Sequence, residues 1–480
     1  MGIVMKILRE PLCLRGLLFI FYFFIQLFAQ SQDLKYYRYE NDYLPKEFHK
    51  GRRDSLRKQM PANSVAILFS APERNRSNDD DFQYHQNPNF YYLTGLTEPN
   101  SMLLIFKDIQ NIGGITSDEC LFVQDRDPQK EVWTGRRLGV DGAKKLLGFD
   151  NVFTDNTFDT LQIPFRNFNS LFYLSLPKGV VDDKSESADL YELIEQFKKK
   201  SSYPPENGDN SKLSRWISSM REIKQPEEIT LMRKAINISC EAHNEMIKAV
   251  EPGMTEFQAQ AIGEYMFKKN GSEYVGYPSI CGGGENSCIL HYESNRKKLN
   301  ANDVLLLDMG AEYHGYSADV TRTLPVGGKF SEEQKLIYQL VFNAQETGFK
   351  ECKPGNDFHA PHNAAAAVIK KGLMELGVIK TENEFSRYFM HGTSHYLGLD
   401  VHDAGAYDEL KPGNIITVEP GIYIPDGSPC DPKWWNIGVR IEDDILITEN
   451  GYENLSNAAP RVLEKVEEMM KQKSIFSPGK

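Results

Sequence analysis

Between residues 302 and 324 the chain reads NDVLLLDMGAEYHGYSADVTRTL, an apolar run, a glycine-bracketed gap and an alternating run. That pattern predicts two strands joined by a turn. Asp308 and Asp319 each lie five residues from the central pair Tyr313 and His314. If the turn closes on that pair, the two carboxylates face each other across the ladder, with Cβ atoms roughly 4.5–5.5 Å apart. Like charges held opposite each other on an apolar hairpin destabilise it. A divalent metal between them resolves the conflict; two solvated carboxylates at the hairpin's ends are the plainer alternative.

The pattern elsewhere separates two halves. Residues 30–60 are polar and tyrosine-rich and predict an extended arm followed by a short helix. VAILFS, FYYLTGL, MLLIF and ECLFV then predict strands, with helices over 141–147 and 188–198, which makes a mixed α/β domain without a phosphate-binding glycine loop. Residues 201–211 (SSYPPENGDNS) have linker composition, and a short helix is predicted over 212–222. A long helix follows over 227–250, with an apolar stripe at Ile229, Met232, Ile236, Cys240, His243, Ile247 and Val250. Thr255 with Gln258, and Ser331 with Gln334, are capping boxes that open two more helices.

The second half also repeats itself. PGMTEF at 252–257 recurs as PGNDFH at 354–359, and NDVLLLDMG at 302–310 aligns with GNIITVEPG at 413–421. The alignment sets Asp308 against Glu419 and Gly310 against Gly421. A repeat of about 100 residues predicts a duplicated unit with pseudo-two-fold symmetry, each half lending acids to one axial site.

Composition narrows the classes. A chain of 480 residues suggests more than one domain. A net charge of −12 argues against a nucleic-acid partner. Near the start, Lys6, Arg9 and Arg15 precede the apolar run 17–28 (LLFIFYFFIQLF), which ends at Ala29. This is the layout of a secretory signal, and the run is short of the about 20 residues a membrane span needs. Export to the periplasm or exterior is the expectation, with an uncleaved membrane anchor as the alternative. Leu27 at the third position before the expected cut makes the cleavage site imperfect. The six cysteines after the leader form no CxxC pair and are too sparse for a disulfide scaffold. The expected domains are 1–29 signal peptide, 30–211 N-terminal domain, 212–465 catalytic domain and 466–480 tail.

The strand periods supply further acids. In IITVEPGIY, Ile415, Thr417 and Glu419 share one face; in IGVRIEDDILIT, Arg440 and Glu442 do. Between them lies HGTSHYLGLDVHD with His391, His395 and His402. His391 and His395 have helical zinc-pair spacing, but Gly392 and Gly398 oppose a helix and the glutamate of HExxH is missing, which excludes that reading. Four carboxylates and one imidazole make a hard, oxygen-rich site suited to Mn²⁺ or a similar ion. Four negative charges call for two divalent cations, and a metal pair about 3.5–4 Å apart is a hydrolytic arrangement.

GENSCILHY (284–292), LLLDMGAEYHGYSADVTRT (305–323), HGTSHYLGLDVHD (391–403), TVEPGIY (417–423) and VRIEDD (439–444) resemble the M24B metallopeptidases, the group of Xaa-Pro aminopeptidases and prolidases. QNPNFYYLTGLTEPNSMLL (86–104) and VWTGRR (132–137) are similar to the N-terminal domain of aminopeptidase P. The resemblance spans about residues 45 to 465. It implies an α/β two-domain chain whose C-terminal domain has the pita-bread, creatinase/aminopeptidase-like fold and holds two Mn²⁺. By the same resemblance Asp308, Asp319, His395, Glu419 and Glu442 are metal ligands, with Asp319 and Glu442 bridging. A hydroxide between the metals would attack the peptide bond preceding proline, and Glu419 would handle its proton. His291 and His402 would bind substrate and stabilise the intermediate, and Arg440 would hold metal-bound carboxylates ionised. His391 is read as bracing its loop. Tyr423 matches a site tyrosine, and Trp133 matches a tryptophan that reaches a neighbouring subunit's active site, so a homo-oligomer, dimer or tetramer, is implied. The alternative for His291, Tyr423 and Trp133 is a packing role in the core, with Trp133 the residue whose motif opposes it least. The implied activity is that of an Xaa-Pro aminopeptidase acting on peptides with proline second. A prolidase restricted to dipeptides and an inactive pita-bread binding module are the alternatives; all five ligands are present, which opposes the last.

Overall fold

The computed structural model describes residues 40–184 and 188–477, so the expected leader and most of the extended arm lie outside the described residues. The chain forms two compact units that divide between Ser214 and Arg215, within the helix Lys212–Glu222.

The first unit is built on a six-stranded mixed sheet. β1 (Ser64–Phe69), buried along its whole length, runs antiparallel to β2 (Met102–Ile112) and parallel to Ser170–Tyr173. β3 (Ile115–Val123) pairs with the far side of β2. A helix, α1 (Lys46–Gln59), packs Phe48 and Leu56 inward and buries Arg53. That guanidinium grips both oxygens of Glu119 at 2.9 and 3.0 Å and donates to the Leu93 carbonyl. Two sequence expectations fail here. FYYLTGL is not a strand: Pro88–Thr94 is a helix, because Asn87 caps its N-terminus by accepting from the backbone of Asn89 and Phe90, and Gly95 closes it in the left-handed conformation. All-round apolar content hid a short helix that is buried from Phe90 to Thr94. The supposed linker also contains an edge strand, Gly208–Asp209, paired with the same sheet.

The second unit begins with the expected long helix, α2 (Pro226–Ala249), which buries Met232, Ile236, Cys240, His243 and Ile247 but leaves Ile229 only half-buried. α3 (Glu256–Lys269) carries the Thr255–Gln258 capping box, and α4 (Glu332–Phe349) the Ser331–Gln334 box. Each half repeats one arrangement. In the first, β4 (Val304–Asp308) lies between Ile280–Gly283 and β5 (Thr321–Pro325). In the second, β6 (Ile415–Val418) lies between the segment around Tyr396 and β7 (Asp443–Thr448). The halves join where Glu442 N–H donates to the Thr321 carbonyl over 3.1 Å. Apolar clusters around Tyr338, Ile369 and Val439, and around Phe349, Ile416 and Ile445, fill the space behind the second half.

The hairpin closes one residue later than the pattern suggested. His314 and Gly315 occupy the two turn positions, with φ of 48° and 85°, as a two-residue turn between twisted strands demands. Asp308 therefore stands opposite Thr321 rather than Asp319. Asp319 lies off the ladder, where Gly310 lets the returning chain come close: a Cβ there would collide with the Ala318 carbonyl. Structure continues past residue 466, where the expected tail begins. The helix Leu463–Met469 crosses its start, and Ser474 Oγ donates to Glu245 over 3.1 Å.

Candidate active site

A cavity of about 390 Å³ opens where the two halves of the second unit meet. Asp308, Asp319, His395, Glu419 and Glu442 all line it, together with His291, His391, His402 and Arg440. Three of the four acids sit where a strand ends or the chain leaves it. Asp308 ends β4, Glu419 follows β6, and Glu442 separates the strand Ile437–Arg440 from β7. Alternation then turns these side chains toward one volume while their neighbours enter the core.

The tightest group is Asp319, His395 and Glu442, each offering one ligand atom with all three within 4.8 Å of one another. His395 Nε2 lies 3.4 Å from Asp319 and 3.6 Å from Glu419. Its Nδ1 lies 3.0 Å from the Tyr396 carbonyl. A carbonyl only accepts, so Nδ1 carries a hydrogen, and Nε2 is the nitrogen that faces the acids and that a metal would meet once its own hydrogen is displaced. Without a metal, burial lowers this imidazole's basicity but Asp319 and Glu419 outweigh it, bringing its pKa to about 9.

The carboxylates are pushed apart electrostatically. Burial raises Glu442 far above the usual range, and Asp319 and Glu419 raise it further. Burial likewise raises Asp319 and takes Glu419 to about 7. Asp308 goes the other way: burial alone would raise it, but Arg440 and the Tyr277 hydroxyl hold it below the usual carboxylate range. Arg440, 4% exposed, grips Asp308 through Nη2. Three buried acids and the half-buried Glu419, facing one guanidinium and one imidazole, form a donor set that fits divalent cations, since only added positive charge lets all four ionise together. Thr321 Oγ1 donates to Glu442 Oε2 over 2.6 Å and orients it.

His402 and His291 are exposed to the cavity. The His402 ring meets the His395 ring edge-on, centroids 4.4 Å apart, and burial together with His395 lowers its pKa. His291 is thus not a buried packing histidine. His391 braces its loop as expected: Nδ1 lies 2.7 Å from the Gly392 carbonyl and Nε2 2.8 Å from the Tyr423 hydroxyl. Tyr423 departs from the expectation of a substrate contact. It is fully buried and absent from the cavity wall, and its hydroxyl joins His391 to Arg440 from behind. Trp133 is not a core residue either; it is 89% exposed on the helix Pro128–Thr134 of the first unit.

Tyr277 escaped the sequence reading altogether. Its hydroxyl lies 2.6 Å from Asp308 Oδ1 and 2.5 Å from Asp319 Oδ1. One hydroxyl has one hydrogen, so it serves one carboxylate at a time. Its neighbours in VGYPSI carry no acid or histidine; only the fold, through the bond from Gly276 N–H to the Gly310 carbonyl, brings it to the hairpin.

Comparison with known proteins agrees with this geometry. Residues 230–449 match the model of metallopeptidase family M24, and residues 49–164 match the aminopeptidase P N-terminal domain. The chain is 36% identical to an Xaa-Pro aminopeptidase of Escherichia coli over 433 residues, 87% of this chain and 96% of that relative. It is 36% identical to the Xaa-Pro aminopeptidase of Haemophilus influenzae over 442 residues, 89% of this chain and 98% of the relative. The solved aminopeptidase PepP of Pseudomonas aeruginosa aligns with a TM-score of 0.81 at 34% identity, over 90% of this chain and 99% of that one.

Proposed function

The chain belongs to metallopeptidase family M24, and from that premise we propose that it releases the N-terminal residue from peptides whose second residue is proline. One observation carries the reading: four carboxylates and an imidazole whose Nε2 faces them converge on one cavity of the catalytic unit. Asp308, Asp319, His395, Glu419 and Glu442 would hold two divalent ions, and the oxygen-rich donor set favours Mn²⁺. Bound there, the ions supply a water acidic enough to attack at neutral pH and polarise the scissile carbonyl.

The chain's own groups do the rest. Glu419, on the cavity wall with the other acids, is placed to take a proton from the attacking water and return it to the departing proline nitrogen. That nitrogen carries no hydrogen in the peptide bond, so it leaves only once protonated. Arg440 keeps Asp308 ionised and fixed in place. Burial, with His395 beside it, lowers the pKa of His402, and its imidazole faces the cavity where it can hydrogen-bond the substrate. His291, on the same wall, is its partner in holding the substrate.

The exposed Trp133 supports a homo-oligomer in which a second copy covers it. The basic and apolar leader supports export, and the intact mass of protein from the source cell would reveal whether residues 1–29 are removed. The decisive experiment compares hydrolysis of Ala-Pro-Ala and Ala-Pro by metal-loaded and chelator-treated protein. Metal-dependent cleavage of Ala-Pro-Ala is the expected result. Cleavage of Ala-Pro alone would make the protein a prolidase, and no cleavage of either would make it a binding module.

A further inference from the structure

One acid on the cavity wall takes no part in the metal set. Glu293 lines the cavity, is exposed, and forms no ion pair or hydrogen bond among the described residues. Its neighbours do not neutralise it. Arg296 lies over the Phe257 ring at 4.3 Å, and Lys297 is engaged by Glu285 at 2.5 Å and Asp303 at 3.1 Å. Arg440, the wall's one guanidinium, is spent on Asp308 and Tyr423.

The segment that carries Glu293 is anchored on both sides. Tyr292 turns into the protein, donating to Glu256 over 2.8 Å and accepting from Asn286 at 2.9 Å. Asn295 is buried, bonded to the Ser279 carbonyl, to Gln260 and to the Cys281 N–H. With Tyr292 facing inward, His291 and Glu293 are left on the cavity side. A fixed, unpaired carboxylate in a partly shielded cavity is an electrostatic selector for cations.

Position along the wall follows from the chain. The Leu290 carbonyl lies 3.5 Å from Arg440 Nη2, beside the metal ligand Asp308. Glu293 is three residues further on, at most about 10 Å away along the chain. That reach matches the step from the scissile carbonyl, past proline, to the residue that follows it.

We propose that Glu293 forms a subsite for a positively charged side chain, lysine or arginine, on the residue after proline. The inference rests on the aminopeptidase reading, in which His291 holds the substrate beside the metals. The test uses kcat/KM of metal-loaded protein on Ala-Pro-Lys-Ala, Ala-Pro-Gln-Ala and Ala-Pro-Glu-Ala at low salt and at high salt. The wild type should favour lysine over glutamate by about fivefold to tenfold, a preference that shrinks with salt as partly exposed ion pairs do. Glu293→Gln should bring the three substrates within about twofold of one another, and Glu293→Lys should reverse their order. Equal rates for all three in wild type would overturn the proposal while leaving the aminopeptidase reading intact. A uniform loss across the series in Glu293→Gln would also overturn it, because the acid would then hold something common to every substrate, such as the amino terminus. Failure of wild type to cut any of the three would instead refute the aminopeptidase reading.

Discussion

Tyr423 donates its hydroxyl hydrogen to His391 Nε2 over 2.8 Å and accepts from Arg440 Nη1 at the same distance. The direction follows from His391, whose Nδ1 faces the Gly392 carbonyl and so carries the ring hydrogen. Arg440 in turn grips Asp308. A fully buried hydroxyl thus links the loop of the histidine motif, through Arg440, to Asp308 without touching the cavity.

Tyr423→Phe tests that link. The substitution keeps the ring and leaves a buried guanidinium N–H without its acceptor, at a cost of about 1–3 kcal/mol in stability. Loosening a group that orients a ligand typically lowers activity about 10–100-fold. Thermal unfolding and kcat/KM on Ala-Pro-Ala, with metal content measured alongside, check both numbers. Wild-type values for both would remove Tyr423 from the machinery.

The metal-free protein should lose stability as pH rises. Burial raises Asp319, Glu419 and Glu442 above their unfolded values. Groups shifted upward stabilise the fold fully below the unfolded carboxylate range and cease to do so as pH climbs through their folded pKa. For Glu419 that window runs from about 4.5 to about 7. Melting temperatures of chelator-treated protein should therefore fall between pH 5 and pH 8, while metal-loaded protein should gain stability over the same range, because its ligands must be deprotonated to bind. Parallel curves for the two forms would contradict the crowded-carboxylate account.

Much of this site was legible because strand alternation is a strong signal. Asp308, Glu419 and Glu442 end or follow apolar runs, so their faces could be read directly. The hairpin register was missed by one position because Tyr313–His314 and His314–Gly315 both centre the acids plausibly. Only the positive φ of His314 and Gly315 decides between them. Tyr277 was unreadable because its partners are 31 and 42 residues away. Tyr423 was assigned to the cavity and shares the parity of Glu419, but one strand ends at Val418 and another begins at Gly421, and the break leaves the ring buried behind the wall, where its hydroxyl matters.

His402→Ala should lower kcat by about 10²–10⁴-fold, the range for loss of a positioned acid–base group, while metal content stays at the wild-type level. The ring touches His395 edge-on and is exposed to the cavity, so its removal opens space without unpairing a buried charge. Metal content falling in step with rate would make His402 a ligand and displace the assignment of His395.

The loop between His395 and His402 is held by an ionic clamp that no sequence pattern announced. Asp403, next to His402, is buried and bonded to Lys224 Nζ over 2.8 Å and to Arg221 Nη2. Its backbone N–H donates to the Tyr396 carbonyl over 2.9 Å, closing the loop on itself. Burial alone would raise Asp403, but Lys224 and Arg221 outweigh it and hold the carboxylate below its usual range. Its contribution is therefore present above the unfolded aspartate range and lost as pH falls through the folded value. Removing one partner of such a pair leaves charge buried without its counter-ion, so Asp403→Asn should cost the catalytic unit about 3–5 kcal/mol. Lys224→Met alone should cost less, because Arg221 still serves the carboxylate. Added to Asp403→Asn, it should cost less again, or restore stability, because the lysine has by then lost its anion. The double-mutant cycle, read by denaturant unfolding, should show a coupling above about 1 kcal/mol. Activity should fall in Asp403→Asn as both histidines lose their support. Additive effects of the two substitutions would show that the clamp does not act as a unit, and unchanged kcat in Asp403→Asn would show that the histidines do not depend on it.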